Sequence, residues 1–291
     1  MGPTATGKTK LAAQLASEFN GEIISADSRQ VYKRMDIGTG KDLKDYEIEG
    51  KVIPYHLIDI VEPCDEFNLF LFKKYFTGTF IEISQRKKLP FLVGGTGLYL
   101  SSILQNYKLR TASYNSERID ELSSKEIEEL RIILNELNPK LHNTTDLLDK
   151  NRIVKAILIS EAVQTFEEIE INSLNIGVMP ERAETKRRIT ERLKYRLGHG
   201  MIDEVKSLLG SGVTFDKLNF FGLEYKFIAL YLRNELTYND MFQKLNGAIH
   251  QFAKRQATWF RKMEREGVKI HWLEKPDFTA AKEIIKKSAG V

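Results

Sequence analysis

Cysteine is almost missing from this chain: Cys64 is the only one in 291 residues. One thiol cannot close an internal disulfide or build a Cys-rich zinc site, and its scarcity fits a reducing compartment. Proline is sparse, with seven residues. Together with an ordinary 42% hydrophobic and 29% charged share, this excludes collagen-like, mucin-like and wholly disordered chains. Long apolar runs are lacking as well. Stretches such as residues 227–232 fall far short of the roughly 20 residues that a spanning helix needs. No apolar stretch follows Met1 as a secretory signal would require. The expectation is a cytoplasmic protein that makes no use of a membrane. A large excess of one charge is also absent: 44 Lys+Arg stand against 40 Asp+Glu, a net +4. A claim about nucleic acid must therefore rest on where the charges lie.

The chain opens on Gly2-Pro3-Thr4-Ala5-Thr6-Gly7-Lys8-Thr9, a match to Gly-x-x-x-x-Gly-Lys-Thr. In such a loop successive N–H groups face inward ahead of a helix N-terminus and hold phosphate oxygens. Lys8 adds a positive charge, and the Thr9 hydroxyl can ligate Mg²⁺. A buried strand normally leads into this loop, so the expectation is that one has been lost ahead of Gly2, by truncation or by a misassigned start.

Leu11, Leu15 and Phe19 form a helical stripe that ends at Asn20-Gly21. Residues 22–26, 51–61 and 89–93 read as strands, and residues 68–85 as a helix between the last two. The alternation predicts an α/β fold, a P-loop NTPase-like parallel sheet with helices on both faces, whose ligands bind beyond the carboxyl ends of the strands. Asp27, after the first predicted strand, and Thr96, in Gly94-Gly95-Thr96-Gly97, fall on that edge. A carboxylate there can accept a proton from a nucleophile or hold Mg²⁺, or simply cap a turn.

Beyond about residue 110 helical periodicity takes over. The predicted division is a P-loop core at 1–109, a short helical insertion at 110–150, and a helical remainder at 151–291 that packs on the core. Residues 116–136 hold seven acids and three bases, whereas residues 181–197 hold seven bases and three acids. Arg192 and Arg196, four apart, can clamp an anion from one helix face. Along residues 241–263, Lys254 with Arg261 and Arg255 with Lys262 form stripes suited to phosphates, or to a solvated face. The five histidines have no metal-ligand spacing.

These motifs resemble, in order and nearly end to end, the tRNA dimethylallyltransferase (tRNA isopentenyltransferase) family. Residues 2–9 are similar to its phosphate loop, and Asp27-Ser28-Arg29-Gln30-Val31-Tyr32 to its Asp-Ser-x-Gln-Val-Tyr motif. Asp36-Ile37-Gly38-Thr39, His56-Leu57-Ile58-Asp59, Gly94-Gly95-Thr96-Gly97-Leu98-Tyr99, Asn151-Arg152-Ile153 and the run from Ala253 to Phe260 follow in register. The resemblance implies transfer of a dimethylallyl group from dimethylallyl diphosphate to N6 of the adenosine 3′ of a tRNA anticodon. It carries the role of base to Asp27, substrate positioning to Thr96, and diphosphate binding to the loop with Arg192, with Arg196 acting where charge develops and Mg²⁺ on Thr9. Contacts to the anticodon stem-loop are carried to Asp27, Ser28, Arg29 and Gln30, to Asn151, Arg152, Ile153, Val154 and Lys155, and to Lys254, Arg255 and Gln256. A monomer is expected. The rival readings are an adenylate isopentenyltransferase, a P-loop small-molecule kinase and a non-catalytic RNA-binding module. Relatives have Gly-Thr-Ala-Lys-Pro where this chain has Gly38-Thr39-Gly40-Lys41-Asp42, and their insertion is longer.

Overall fold

Six consecutive buried residues form the central strand β1 (Gly21–Ala26) of the computed structural model, which describes residues 1–108, 116–137, 149–161 and 169–289. The chain divides into two compact units, one of Met1–Gln105 with Ile171–Val291 and one of Asn106–Glu170. Before the second unit the first contains α1 (Lys8–Glu18), β1, β2 (Glu47–Ile48), β3 (Lys51–Val52), β4 (Tyr55–His56), α2 (Leu69–Gln85), β5 (Leu89–Gly94) and α3 (Gly97–Leu104).

β1 is covered on both faces, as a buried parallel strand must be. Its parallel neighbours are β4 and β5, in the order β4-β1-β5. Ile23 is level with Phe91 and Ala26 with Gly94, so both strands end together and release Asp27 and Gly95 side by side. On one face the small side chains Ala12, Ala13 and Ala16 bring α1 down onto Ile23 and Val93. Leu11 and Leu15 of the same helix join Val178 and Ala281; burying each contributes about 1.5–3 kcal/mol. Glu22 points to the other face, where Arg86 at the end of α2 donates to it at 2.7 Å and His56 Nε2 lies at 2.7 Å. Burial pushes the Glu22 carboxyl up, yet these hydrogen bonds outweigh it and hold it below its usual value. Asn68 caps α2 by accepting the Leu71 N–H at 3.0 Å.

The strand expected over residues 51–61 is broken. Pro54 cannot donate to a ladder, so the segment divides into β3, antiparallel to β2, and β4, parallel to β1. Past these, Tyr32 and Val61 form an isolated bridge.

The second unit contains α4 (Ser116–Ser124), α5 (Ile127–Leu137) and α6 (Lys150–Glu161). Leu122, Leu130, Leu134, Ile153, Val154, Ile157 and Leu158 form its core. α6 therefore belongs with the insertion and not with the C-terminal helices, which moves the expected boundary at residue 151. The other expected boundary, at 109, and His142 lie outside the described residues.

The first unit resumes with β6 (Ile176–Val178), α7 (Arg182–Gly198), α8 (Met201–Gly210), α9 (Phe215–Phe221), α10 (Leu223–Leu232), α11 (Tyr238–Arg265), β7 (His271–Leu273) and α12 (Phe278–Ala289). Alternation does not end near residue 110: β6 and β7 pair in parallel. Val178 N donates to Met1 O at 2.9 Å, which fixes the residues leading into the phosphate loop beside β6. Thr237 caps α11 by accepting the Asp240 N–H. One apolar face of that helix, including Leu245, Ile249, Phe260 and Met263, is buried. Among the described residues no helix is long and apolar enough to cross a membrane.

Candidate functional site

Residues 4–9, without the expected Gly2 and Pro3, line a cavity of 290 Å³ together with Asp27, Gln30, Thr39, Gly40, Asp42, Asp45, Tyr46, Arg188 and Arg192. Gly2 and Pro3 are buried at the start of the loop, where a Cβ on Gly2 would come within 2.5 Å of the Val178 carbonyl. Ala5 and Gly7 have φ of 63° and 78°. At Gly7, the N-cap of α1, only glycine takes that conformation without strain. Buried Thr6 donates to Pro3 O at 3.1 Å and stiffens the turn. Thr9 stands in the first turn of α1 and lines the cavity.

Lys8 Nζ donates to Pro3 O at 3.1 Å. Burial pushes its ammonium down to about 8, with Asp27 opposing the shift and Arg192 reinforcing it. Arg192 donates to the Thr4 hydroxyl. Burial, helped by Arg196, pushes its guanidinium down to about 10, so it stays charged at neutral pH. Lys8 and Arg192 together make the phosphate side of the cavity cationic.

In the same cavity lining, Asp27 Oδ1 accepts the Arg29 N–H at 2.9 Å, which holds the carboxylate in one rotamer. Its turn is tied to β5, because Thr96 Oγ1 accepts the Ser28 N–H at 3.1 Å and Thr96 N donates to Ala26 O at 3.2 Å. Gln30 donates to Gly40 O at 3.1 Å. The Arg29 guanidinium lies 4.9 Å from the Phe220 ring centroid, a cation–π contact on a half-exposed aromatic.

Two expectations about placement change. Arg196 is not among the cavity-lining residues; it is buried behind them, paired with Asp42 at 3.1 Å and covered by Gly40. Gln256 is buried too, and its amide is used internally. Oε1 accepts the Thr4 N–H at 2.9 Å and Nε2 donates to Gly95 O at 2.8 Å. Its neighbours Lys254 and Arg255 are exposed. Lys254 and Arg261, with Arg182 and Lys186 from α7, line a second cavity of 360 Å³ that reaches Pro3.

Asn151, Arg152 and Lys155 are exposed on α6 in the other unit, whereas Ile153 and Val154 are in its apolar core. Successive helix residues turn by about 100°, so five in a row cannot all face a ligand, and these two do not. Sequence reasoning overlooked a further stretch of the lining, Thr39, Gly40, Asp42, Asp45 and Tyr46, although Gly38-Thr39-Gly40 is a visible loop signal. Burial pushes the Asp45 carboxyl up, reinforced by Asp42.

The arrangement can hold a diphosphate on backbone N–H groups and two cations, and it sets a carboxylate in the same cavity. Comparisons agree on what else is built this way. The IPP transferase family profile matches residues 30–263 and the isopentenyl transferase profile residues 1–53. The chain is 53% identical over 277 residues to tRNA dimethylallyltransferase 1 of Geotalea uraniireducens, covering 94% of this chain and 91% of that protein. It is 49% identical over 292 residues to tRNA dimethylallyltransferase 1 of Syntrophus aciditrophicus, covering 98% and 96%. Its fold superposes on the full-length tRNA isopentenylpyrophosphate transferase of Bacillus halodurans with a TM-score of 0.70 at 32% identity, over 99% of this chain and 93% of that one.

Proposed function

The chain belongs to the IPP transferase family, and from that premise we propose that it is a tRNA dimethylallyltransferase. It moves the dimethylallyl group of dimethylallyl diphosphate to N6 of the adenosine 3′ of a tRNA anticodon and releases diphosphate. The observation that carries this reading is one cavity lined by the phosphate loop with Lys8, by Arg192 and by Asp27.

In the transfer, the allylic C–O bond breaks and its electron pair leaves on the diphosphate. The bond from N6 to the allylic carbon forms, and the N6 proton passes to the Asp27 carboxylate. An exocyclic adenine amine is a poor nucleophile, so a base within reach of its proton contributes roughly 10²–10⁴-fold. The loop N–H groups, Lys8 and Arg192 act on charge that grows in the transition state. Thr96, bonded to the Asp27 turn, positions that turn.

The target base is stacked in the anticodon loop, so it must swing out to reach the cavity. Ser28, Arg29, Lys254 and Arg255, together with Asn151, Arg152 and Lys155, are the residues assigned to hold the RNA. The donor set suits Mg²⁺: the Thr9 hydroxyl and the Asp42 carboxylate, both on the cavity lining, offer the hard oxygens it prefers. Bound there with the diphosphate, Mg²⁺ would draw charge from the leaving group.

The test is diphosphate release from dimethylallyl diphosphate with unmodified tRNA or AMP as acceptor. Release with tRNA alone is expected. Release with AMP alone would make the protein an adenylate isopentenyltransferase, and phosphate transfer from ATP without prenyl transfer would make it a kinase.

A further inference from the structure

Three successive backbone N–H groups, those of Asp36, Ile37 and Gly38, converge on the carboxylate of Glu204 at 2.8, 2.7 and 3.0 Å. A fourth donor, the hydroxyl of buried Tyr225, reaches the same carboxylate at 2.7 Å. A run of N–H groups of this kind is an anion-binding nest. Here the anion is internal, carried in the first turn of α8, where the helix dipole also favours a negative charge.

From the nest the chain runs directly into the cavity wall formed by Thr39, Gly40 and Asp42. Gly40 O accepts from Gln30, and a Cβ on Gly40 would come within 2.2 Å of Arg196 Nη2. Lys41 closes the far flank, with Nζ donating to Tyr32 O at 2.5 Å and to Asp36 at 2.9 Å. The phosphate cradle is held by other bonds, Thr4 to Gln256 and Arg192 and Lys8 to Pro3. Both the wall at 36–42 and the cradle touch α7, through Arg196 and Arg192, but the Glu204 bonds reach the wall alone.

We propose that Glu204 is a positioning residue for the transfer: by filling the nest it fixes the 36–42 wall of the cavity that Asp27 also lines, and so sets where the acceptor base stands. This rests on the transfer reaction proposed above. Misplacing reactants by about 1 Å costs roughly 10²-fold in rate, so loosening the wall should lower turnover while the cradle keeps its hold on diphosphate.

The experiment compares the purified full chain with its Glu204→Gln and Glu204→Ala variants. Glu204→Gln keeps the size but places an amide, partly a donor, among groups that all need acceptors. Its kcat should fall by at least about tenfold with KM for dimethylallyl diphosphate within about threefold. Hydrogen exchange at the 36–38 amides should speed up by at least about tenfold while α11 stays protected. Formate, a free carboxylate, should refill the nest of Glu204→Ala and recover at least about threefold in kcat. Should Glu204→Ala not fold, the Gln variant decides alone. Unchanged exchange, retained kcat, a rise in KM with kcat intact, or no formate rescue in folded Glu204→Ala would each overturn the proposal. If the unaltered protein transfers no prenyl group, the functional reading fails, and the exchange data still decide whether Glu204 holds the wall.

Discussion

Gln256, near the middle of α11, bridges two loops from opposite ends of the chain's first hundred residues: it accepts from Thr4 N and donates to Gly95 O. One buried amide thus sets the phosphate loop against the Gly94-Gly95-Thr96 turn, whose Thr96 hydroxyl accepts from Ser28 N. Gln256→Glu removes the donor and faces a carboxylate with a carbonyl, leaving a buried group unsatisfied at a cost of about 1–3 kcal/mol. Thermal melting should fall accordingly, and kcat/KM for dimethylallyl diphosphate should drop by about tenfold. A variant with unchanged kcat/KM would show that the bridge does not shape the cradle.

Asp27→Asn separates the two uses of that residue. The asparagine oxygen can still accept the Arg29 N–H, so the turn and the melting temperature should be retained. Its amide cannot take up a proton, so turnover should fall by roughly 10²-fold or more with RNA affinity little changed. Equal losses in turnover and binding would remove Asp27 from the role of base.

Lys8 makes donor binding sensitive to alkali. Its free-state value near 8 means that above this pH the ammonium must regain a proton when the anionic diphosphate binds. KM for dimethylallyl diphosphate should therefore rise with pH, by up to about tenfold per unit above 8. Lys8→Arg keeps its charge through this range, so that alkaline rise in KM should vanish. Persistence of the same limb in Lys8→Arg would assign it to another group.

Lys41 anchors the wall from within. Its side chain is fully buried against Asp36 and Asp59, and Lys41→Met would leave both carboxylates without their cation. The expected loss is about 1–3 kcal/mol, because the buried Tyr32 carbonyl loses its donor while both acids are partly exposed. Urea unfolding measures it, and a change under about 0.5 kcal/mol, the size of an ordinary surface substitution, would contradict this account.

Lys254→Ala combined with Arg255→Ala removes two exposed cations from α11. RNA binding should weaken, and the slope of log affinity against log salt should flatten by about 1–2. An unchanged slope would mean that this stretch is an ordinary solvated helix face.

The sequence disclosed what is local. The phosphate loop is eight contiguous residues, Asp27 follows a short apolar run, and Asn68 announces α2, so the cradle and the carboxylate that shares its cavity were legible. What escaped depends on distant partners. β6 and β7 are three residues each and pair across more than ninety, too short for any periodicity. Pro54 splits a run that otherwise reads as one strand. Motif matching spreads a role evenly over neighbours, yet helix geometry turns Ile153, Val154 and Gln256 inward while Lys155 and Arg255 face out. Glu204 left no trace, because its partners at 36–38 are backbone N–H groups, which every sequence contains.

The most direct test of the central claim is nucleoside mass spectrometry of unmodified tRNA incubated with the purified protein, dimethylallyl diphosphate and Mg²⁺. The account predicts one C₅H₈ unit gained on the adenosine 3′ of the anticodon, and none when Asp27→Asn replaces the protein. Unmodified adenosine at that position, with the same unit appearing on free AMP instead, would contradict it.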